Sequence, residues 1–233
     1  MGILERKERE KEHRKEEIVE AAQKLFLEKG LQTTTMDEIA EAAELSKGTI
    51  YLYYKSKEDL YLAVIMRGMQ ILHEMFDAKI KTQQDVVEAL MTLQDTYIDF
   101  FDKHRSYFRM LHFLQTPQFH KQVSDEMKKE ALLVNQRIWN LAITTIERGI
   151  KEGLLISNLN AAEIAIILWS SATQLMMRID TESERWKTVM NIDLQRVLRV
   201  SNSLILGSIL TTEAKQNHAA LLNSRNQGIG IGN

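Results

Sequence analysis

The sequence predicts an all-α protein, with an N-terminal three-helix helix-turn-helix domain followed by a larger C-terminal helical domain. Three observations carry this. The 233 residues include one proline and ten glycines, so long stretches run without a breaker. Apolar residues recur at i, i+3, i+4 and i+7 in one segment after another, the period of a helix with one buried face. Hydrophobic residues make up 44% and charged residues 27%, a balance that allows a packed core and argues against disorder along the whole chain.

The first helix carries Ile18, Ala21, Ala22, Leu25 and Phe26 on one face, and Gly30 stops it. Ahead of it, Glu5 to Lys15 alternates acids and bases, which reads as a flexible, solvated arm over residues 1–12. A second helix follows Thr33-Thr34-Thr35. Either Thr34 or Thr35 can cap it, with Asp37 and Glu38 three residues on in capping-box position. Ser46 caps a short third helix through Ile50 and Tyr51, and Glu44-Leu45-Ser46 joins the two in a turn of helix-turn-helix length. Ser56, with Asp59 in capping-box position, starts a fourth helix from about Lys57 to Ile80. Further helices are predicted from Gln84 to about Lys103, from Tyr107 to Gln115 before the single proline Pro117, and from Phe119 to about Leu155. Two more run from an Asn160 cap to about Ile179, and from Ile192 to about Leu210. Beyond Thr212 the apolar pattern fades, and residues 213–233 read as a flexible tail.

Several function classes fall away. Without cysteine there is no disulfide, thiol nucleophile or Cys-ligated metal. The six histidines lack a metal-binding spacing, and no helix follows the glycines at 228–232, so they resemble a nucleotide loop only superficially. No nucleophile–base pair can be placed. No enzyme, cofactor or metal site is therefore expected. The most apolar stretch, Ala161 to Met177, is broken by Glu163, Ser170, Ser171, Thr173 and Gln174, so no membrane span is expected. The charged amino terminus has no apolar core of a leader, and a cytoplasmic protein is the expectation.

Net charge is −2, so nucleic-acid binding has to rest on local charge. From Leu45 to Lys57 there is no acid, while Lys47, Lys55 and Lys57 are basic. Ser46, Thr49, Tyr51 and Tyr53 offer hydroxyls to phosphates or base edges, and Gly48 lets a backbone approach closely. The helix starts present free N–H groups suited to phosphate oxygens.

The segment from Thr34 to Leu60, with Ser46-Lys47-Gly48-Thr49-Ile50-Tyr51-Leu52-Tyr53-Tyr54-Lys55-Ser56-Lys57 at its centre, resembles the tetracycline-repressor-like (TetR) family of bacterial transcription regulators. The resemblance is close from about Ile18 to Leu60. It implies that Thr35 and Lys57 meet phosphates, that Ser46, Lys47, Gly48 and Thr49 open a recognition helix, that Tyr51 and Leu52 face the major groove, and that Tyr53 reaches the DNA backbone while Tyr54 packs inward. Thr34 and Lys55 complete the DNA-contacting set. The family often has glycine where Glu44 stands; if that position is left-handed, Glu44 costs about 1 kcal/mol.

The resemblance also assigns residues 13–56 to DNA binding and 57–212 to effector binding and dimerisation. The two last helices are apolar on more than one side, which the residues alone allow to be core or interface. The resemblance implies a dimer seam through Leu168, Ala172, Leu175, Val197, Leu198, Ser201, Leu204 and Ile205. Methionines and aromatics cluster mid-chain; plain core is the simpler reading for each alone. Together, and with the resemblance, they imply a cavity lined by Met75, Phe76, Phe100, Tyr107, Met110, Leu111, Phe113, Leu114, Trp139, Ile143, Trp169, Thr173, Met176 and Met177. Few charges interrupt these stretches, so an apolar or amphipathic small-molecule effector is expected. The expected protein is a homodimeric repressor released from a palindromic DNA operator by that effector. The alternatives are a helical ligand-binding or scaffold protein whose amino-terminal module binds protein, and an activator or architectural DNA binder without an effector.

Overall fold

The computed structural model describes residues 2–81, 83–113 and 117–229. Among them are twelve helices and no strand: α1 (Ile3–Thr33), α2 (Met36–Ala42), α3 (Lys47–Tyr51), α4 (Lys57–Ile80), α5 (Val86–Lys103), α6 (Arg105–Phe113), α7 (Pro117–Gln122), α8 (Asp125–Lys151), α9 (Ala161–Met190), α10 (Leu194–Ile209), α11 (Thr212–Asn217) and α12 (Ala219–Ile229). None is long and apolar enough to cross a membrane.

The packing divides the chain into two units that do not follow sequence order. Unit 1 is Met1–Glu74 with Asp102–Arg137; unit 2 is Met75–Phe101 with Ile138–Asn233. Both α4 and α8 therefore contribute to each unit.

In unit 1, Ile18, Ala22 and Phe26 of α1 are buried with Ile39, Ile50, Leu60, Val64 and Ile65. An edge-on ring chain runs from Phe26 to Tyr61 (centroids 5.0 Å apart) and on to Phe119 of α7 (5.7 Å). Gly68 lets α6 lie close on α4: a Cβ there would sit 2.5 Å from the Tyr107 ring. Gly30 breaks α1 with φ +79°, a conformation that favours glycine.

In unit 2, Val86, Val87 and Leu90 of α5 pack with Ile146, Ile164, Ala165, Leu206 and Ile209. The Ile156 N–H donates to the Ile209 carbonyl (3.0 Å) and the Thr211 N–H to that of Leu154 (2.9 Å), tying the end of α8 to the end of α10.

Four expectations are corrected. The arm over residues 1–12 is helical, because its alternating charges fall at helical spacing: Arg6 pairs with Glu10 (2.9 Å) and Lys15 with Glu12 (3.1 Å). The helix expected from Phe119 to Leu155 is two, broken at Val123-Ser124. Pro117 opens α7 instead of only ending α6; a proline at a first helical position loses no hydrogen bond. Helix α9 runs on to Met190, with Trp186 donating to Glu182 (2.8 Å), until Asn191 ends it at φ +51°.

The tail is helical through Ile229, and residues 230–233 lie outside the described residues. Thr211 caps α11 and Ala214 is fully buried. Arg225 holds Asp95 of α5 at 2.6 and 3.2 Å. His218 places Nδ1 2.8 Å from the Ala214 carbonyl and Nε2 2.8 Å from the Asp85 carboxylate. A carbonyl only accepts, so Nδ1 carries a proton, and the carboxylate favours a second proton on Nε2. Burial opposes the charged ring, but Asp85 and Ala214 outweigh it and raise the His218 pKa. Burial would likewise raise Asp85, but the Glu88 N–H and His218 outweigh it and lower its pKa.

A raised histidine pKa stabilises the fold below pH about 6.5 and loses that contribution as pH climbs through the folded value. The Asp85 share persists down into acid. In chemical denaturation, His218→Ala should therefore cost about 2 kcal/mol near pH 5.5 and markedly less at pH 9. A pH-independent cost would mean that only packing was lost.

Candidate nucleic-acid interface

The N-terminal surface of unit 1 is built by caps. Thr35, not Thr34, caps α2: its hydroxyl accepts the Glu38 N–H (3.2 Å), and the Glu38 carboxylate accepts the Thr35 N–H (3.0 Å). The Lys29 ammonium, 2.6 Å away, and the Thr35 N–H hold the Glu38 carboxyl at about 2. Thr34 is corrected as a DNA contact. It is fully buried, and its hydroxyl donates to the Gly30 carbonyl (2.8 Å), bracing the kink instead of facing outward.

The turn between α2 and α3 has Glu44 at φ +54°, the left-handed conformation anticipated for the family's glycine position. It lets the Leu45 N–H reach the Ala40 carbonyl (2.9 Å) and reverses the chain into α3. Ser46 caps α3 by accepting the Thr49 N–H (3.1 Å), and the two hydroxyls lie 2.8 Å apart. Ile50 is fully buried and Tyr54 nearly so; Tyr51 is 44% exposed and Leu52 83%. Tyr53 is half-buried. An added Cβ at Gly48 would meet only Ser46 Oγ at 3.8 Å, so nothing within the chain demands a glycine there. An outside surface approaching the backbone would.

The lysines of this surface already hold partners. Lys47 lies 2.9 Å from Asp37, a bond that raises its pKa. Lys55 lies 2.9 Å from Glu126 of α8. Lys57 donates to the Thr34 carbonyl (2.8 Å), fastening the connection just before the α2 cap. At the start of α4, Ser56 Oγ accepts the Asp59 N–H (3.0 Å), and the buried Asp59 carboxylate reaches beyond its own helix. It accepts the Ser124 N–H (2.7 Å).

The residues expected to line one cavity are distributed over both units. In unit 2, Phe76, Phe100, Thr173 and Met176 are buried, and Met75, Trp139, Ile143 and Met177 partly so. Trp169 is 41% exposed and edge-on to Trp139 at 5.5 Å. In unit 1, Tyr107 and Met110 are buried and Leu111 half-buried. Phe113 belongs to α6, and Leu114 lies outside the described residues. An open groove of about 500 Å³ in unit 2 is lined by Ile143, Glu147, Ile150, Lys151 and residues 159–162, sharing only Ile143 with the expected set.

Sequence reasoning missed two residues inside unit 2. Tyr97 is buried with its hydroxyl 2.8 Å from Thr173, and burial pushes its pKa up to about 12. Asn202 is buried in the α10 stripe of Leu198, Leu206 and Ile209, and both its amide atoms lack a partner among the described residues. A lone asparagine within an apolar stripe is the signal that could have found it. No group of three His, Asp or Glu among the described residues is placed to hold a metal.

The seam is corrected at Ala172 and Leu198, which are buried within the subunit's own core and unavailable to a partner. Leu168, Leu175, Val197, Ser201 and Ile205 are partly exposed. The exposed apolar side chains of this helix pair include Leu204 and two residues not anticipated, Ile166 and Ile167.

The family model for bacterial regulatory proteins of the tetR family matches residues 18–64. The uncharacterised HTH-type transcriptional regulator YhgD of Bacillus subtilis is 30% identical over 151 residues, 61% of this chain and 72% of that protein. The HTH-type transcriptional activator FasR of Mycolicibacterium smegmatis is 28% identical over 116 residues, 48% of this chain and 53% of that protein. Among solved structures, the regulator FadR of Bacillus subtilis, in complex with stearoyl-CoA, superposes with a TM-score of 0.65 at 18% identity, over 83% of this chain and 98% of that one, a likeness of fold.

The strained turn yields a direct test. Glu44→Gly should raise unfolding stability by about 1 kcal/mol in chemical denaturation. Unchanged or lowered stability would mean that the left-handed turn carries no penalty.

Proposed function

This chain belongs to the tetR family of bacterial regulatory proteins, DNA-binding transcriptional regulators of helix-turn-helix type, and from that premise we propose that it is a homodimeric repressor released from a palindromic operator by a largely apolar or amphipathic small molecule. The observation that carries the DNA-binding half is the division of α3. Ile50 and Tyr54 anchor it inward, while Tyr51 and Leu52 stand outward beside Lys47 and Gly48 on an acid-free run. An exposed leucine suits a thymine methyl, and the tyrosine hydroxyl suits a base edge or phosphate. Ser46, Thr49, Tyr53, Thr35 and Lys57 would support the same approach through phosphates.

One such helix reads one half-site, so two copies are needed for a palindrome. The α9–α10 pair leaves Ile166, Ile167 and Leu204 exposed, the last at 66%, and a second copy would cover them. Residues 13–56 would read DNA, and the effector would bind within unit 2. The buried Phe76, Phe100 and Met176 favour an apolar body, and the unpartnered Asn202 amide favours a hydrogen-bonding group on it. The stearoyl-CoA bound by the FadR structure has that amphipathic character. To release DNA, the effector must bind the DNA-incompetent form more tightly; equal affinity for both would shift nothing. Because α4 and α8 contribute residues to both units, they are the natural route of coupling.

Footprinting of the purified protein on DNA upstream of its own gene, repeated across salt, tests this. A protected palindrome is expected. Lys47→Ala and Tyr51→Ala should each weaken binding about 10- to 100-fold, and Lys47→Ala should also make the log–log salt slope shallower by about 1. Absence of protection there and in selection from random DNA would refute the reading. Derepression of a reporter in a deletion strain is the expected sign; loss of expression would indicate an activator.

The dimer has its own test. Ile167→Glu combined with Leu204→Glu should give a folded monomer by sedimentation that no longer protects both half-sites. A variant that sediments as an unchanged dimer would place the seam elsewhere.

A further inference from the structure

The connection between α7 and α8 is fastened to the DNA-reading part of unit 1 at three points. Ser56 Oγ donates to the Gln122 carbonyl (3.3 Å), the Ser124 N–H donates to Asp59 Oδ1 (2.7 Å), and Lys55 Nζ donates to Glu126 Oε2 (2.9 Å). On one side these residues are consecutive or a turn apart at the entry to α4; on the other they span five residues at the entry to α8. Phe119 and Val123, 2% and 3% exposed, pack the same connection into the core of unit 1.

The three bonds differ in kind. Asp59 is 1% exposed, so its bond to Ser124 lies away from water and is costly to break. The side chains of Lys55 and Glu126 are 66% and 69% exposed. A pair that open contributes little and exchanges partners readily. Lys55 lies in the acid-free run proposed to face DNA, so a phosphate oxygen and the Glu126 carboxylate have the same use for its ammonium.

We propose that the α7–α8 elbow is a built-in competitor for DNA: Glu126 occupies Lys55 when DNA is absent, an operator phosphate displaces it, and Asp59 is the positioning residue that seats the elbow within reach. This rests on the DNA-binding reading above. It adds a pairing that opposes DNA binding at a residue outside the helix-turn-helix. Since α8 also contributes residues to unit 2, the same elbow is a point at which an effector could alter how firmly Lys55 is held.

Fluorescence-anisotropy titration of the full-length protein on the footprinted operator, across a salt series, tests it. Glu126→Gln should tighten binding about 3- to 10-fold at low salt and steepen the log–log salt slope by about 0.9, one further lysine having become available to phosphate. In a Lys55→Ala background the same substitution should do nothing, a coupling read from the double-mutant cycle. Asp59→Asn should reproduce part of the gain and add little to Glu126→Gln, with faster hydrogen exchange at residues 124–128. Asp125→Asn removes a neighbouring acid and should leave the slope unchanged. The proposal is overturned if Glu126→Gln matches the parent in affinity and slope, if its gain survives without Lys55, or if Asp125→Asn gives an equal gain. Failure of the parent protein to bind any DNA would instead remove the reading beneath it.

Discussion

A helix of five residues has no stability of its own in water, and α3 is such a helix. It exists because Ile50 is driven into the core of unit 1, because Ser46 satisfies an N–H at its start, and because the left-handed Glu44 aims the chain into it. Everything that α3 presents outward follows from that anchoring. At about 100° per residue, burial of Ile50 and Tyr54 dictates that Tyr51 and Leu52 face away. The outward pair is thus positioned by the inward pair, and the energy for displaying an 83% exposed leucine comes from burial elsewhere in the unit.

Charge on this surface is arranged by partner more than by sum. With a net charge of −2 the chain offers DNA no bulk attraction. The Lys47–Asp37 and Lys55–Glu126 contacts, together with the Lys57 bond to a backbone carbonyl, show three cations already engaged. On the proposed reading, binding a phosphate is therefore an exchange of partners for the two exposed pairs. Such exchange lowers net affinity for any polyanion and favours sites where base contacts add to the phosphate contacts. Weak general affinity with stronger specific affinity is what a regulator searching a genome needs.

The sequence revealed what depends on near neighbours. The caps by Ser46 and Asn160 act within three residues of themselves, and the α4 bounds Lys57–Ile80 follow from the pattern directly. The Glu44 turn was legible through the family's glycine. What escaped was set by distant partners. Residues 212–229 are polar when read alone, yet Asp85 and Asp95 meet His218 and Arg225 across more than 100 residues. Asp59 looked like a capping-box acid, and its carboxylate was claimed by Ser124, 65 residues on. Thr34 and Thr35 were equal as caps on paper. The kink at Gly30 separated them, burying one and exposing the other. The seam failed at Ala172 and Leu198 because an apolar helix face does not announce whether its own core or another copy will cover it.

Asn202 marks where unit 2 departs from an apolar core. Leucine at this position would continue the stripe of Leu198 and Leu206 at no polar cost. An unmet amide in such surroundings costs about 1–3 kcal/mol for each unsatisfied group. Other polar groups of unit 2 divide: Tyr97 meets Thr173 at 2.8 Å and Ser171 meets Ser201 at 3.0 Å, while the buried Thr96 hydroxyl, like the Asn202 amide, has no partner among the described residues. If, as proposed, an effector binds within unit 2, an amide left unmet there favours one able both to donate and to accept. An effector with such a group would recover the desolvation cost on binding, while a purely aliphatic one would not. On the proposed reading, that difference, more than apolar area, is what would distinguish one amphipathic effector from another.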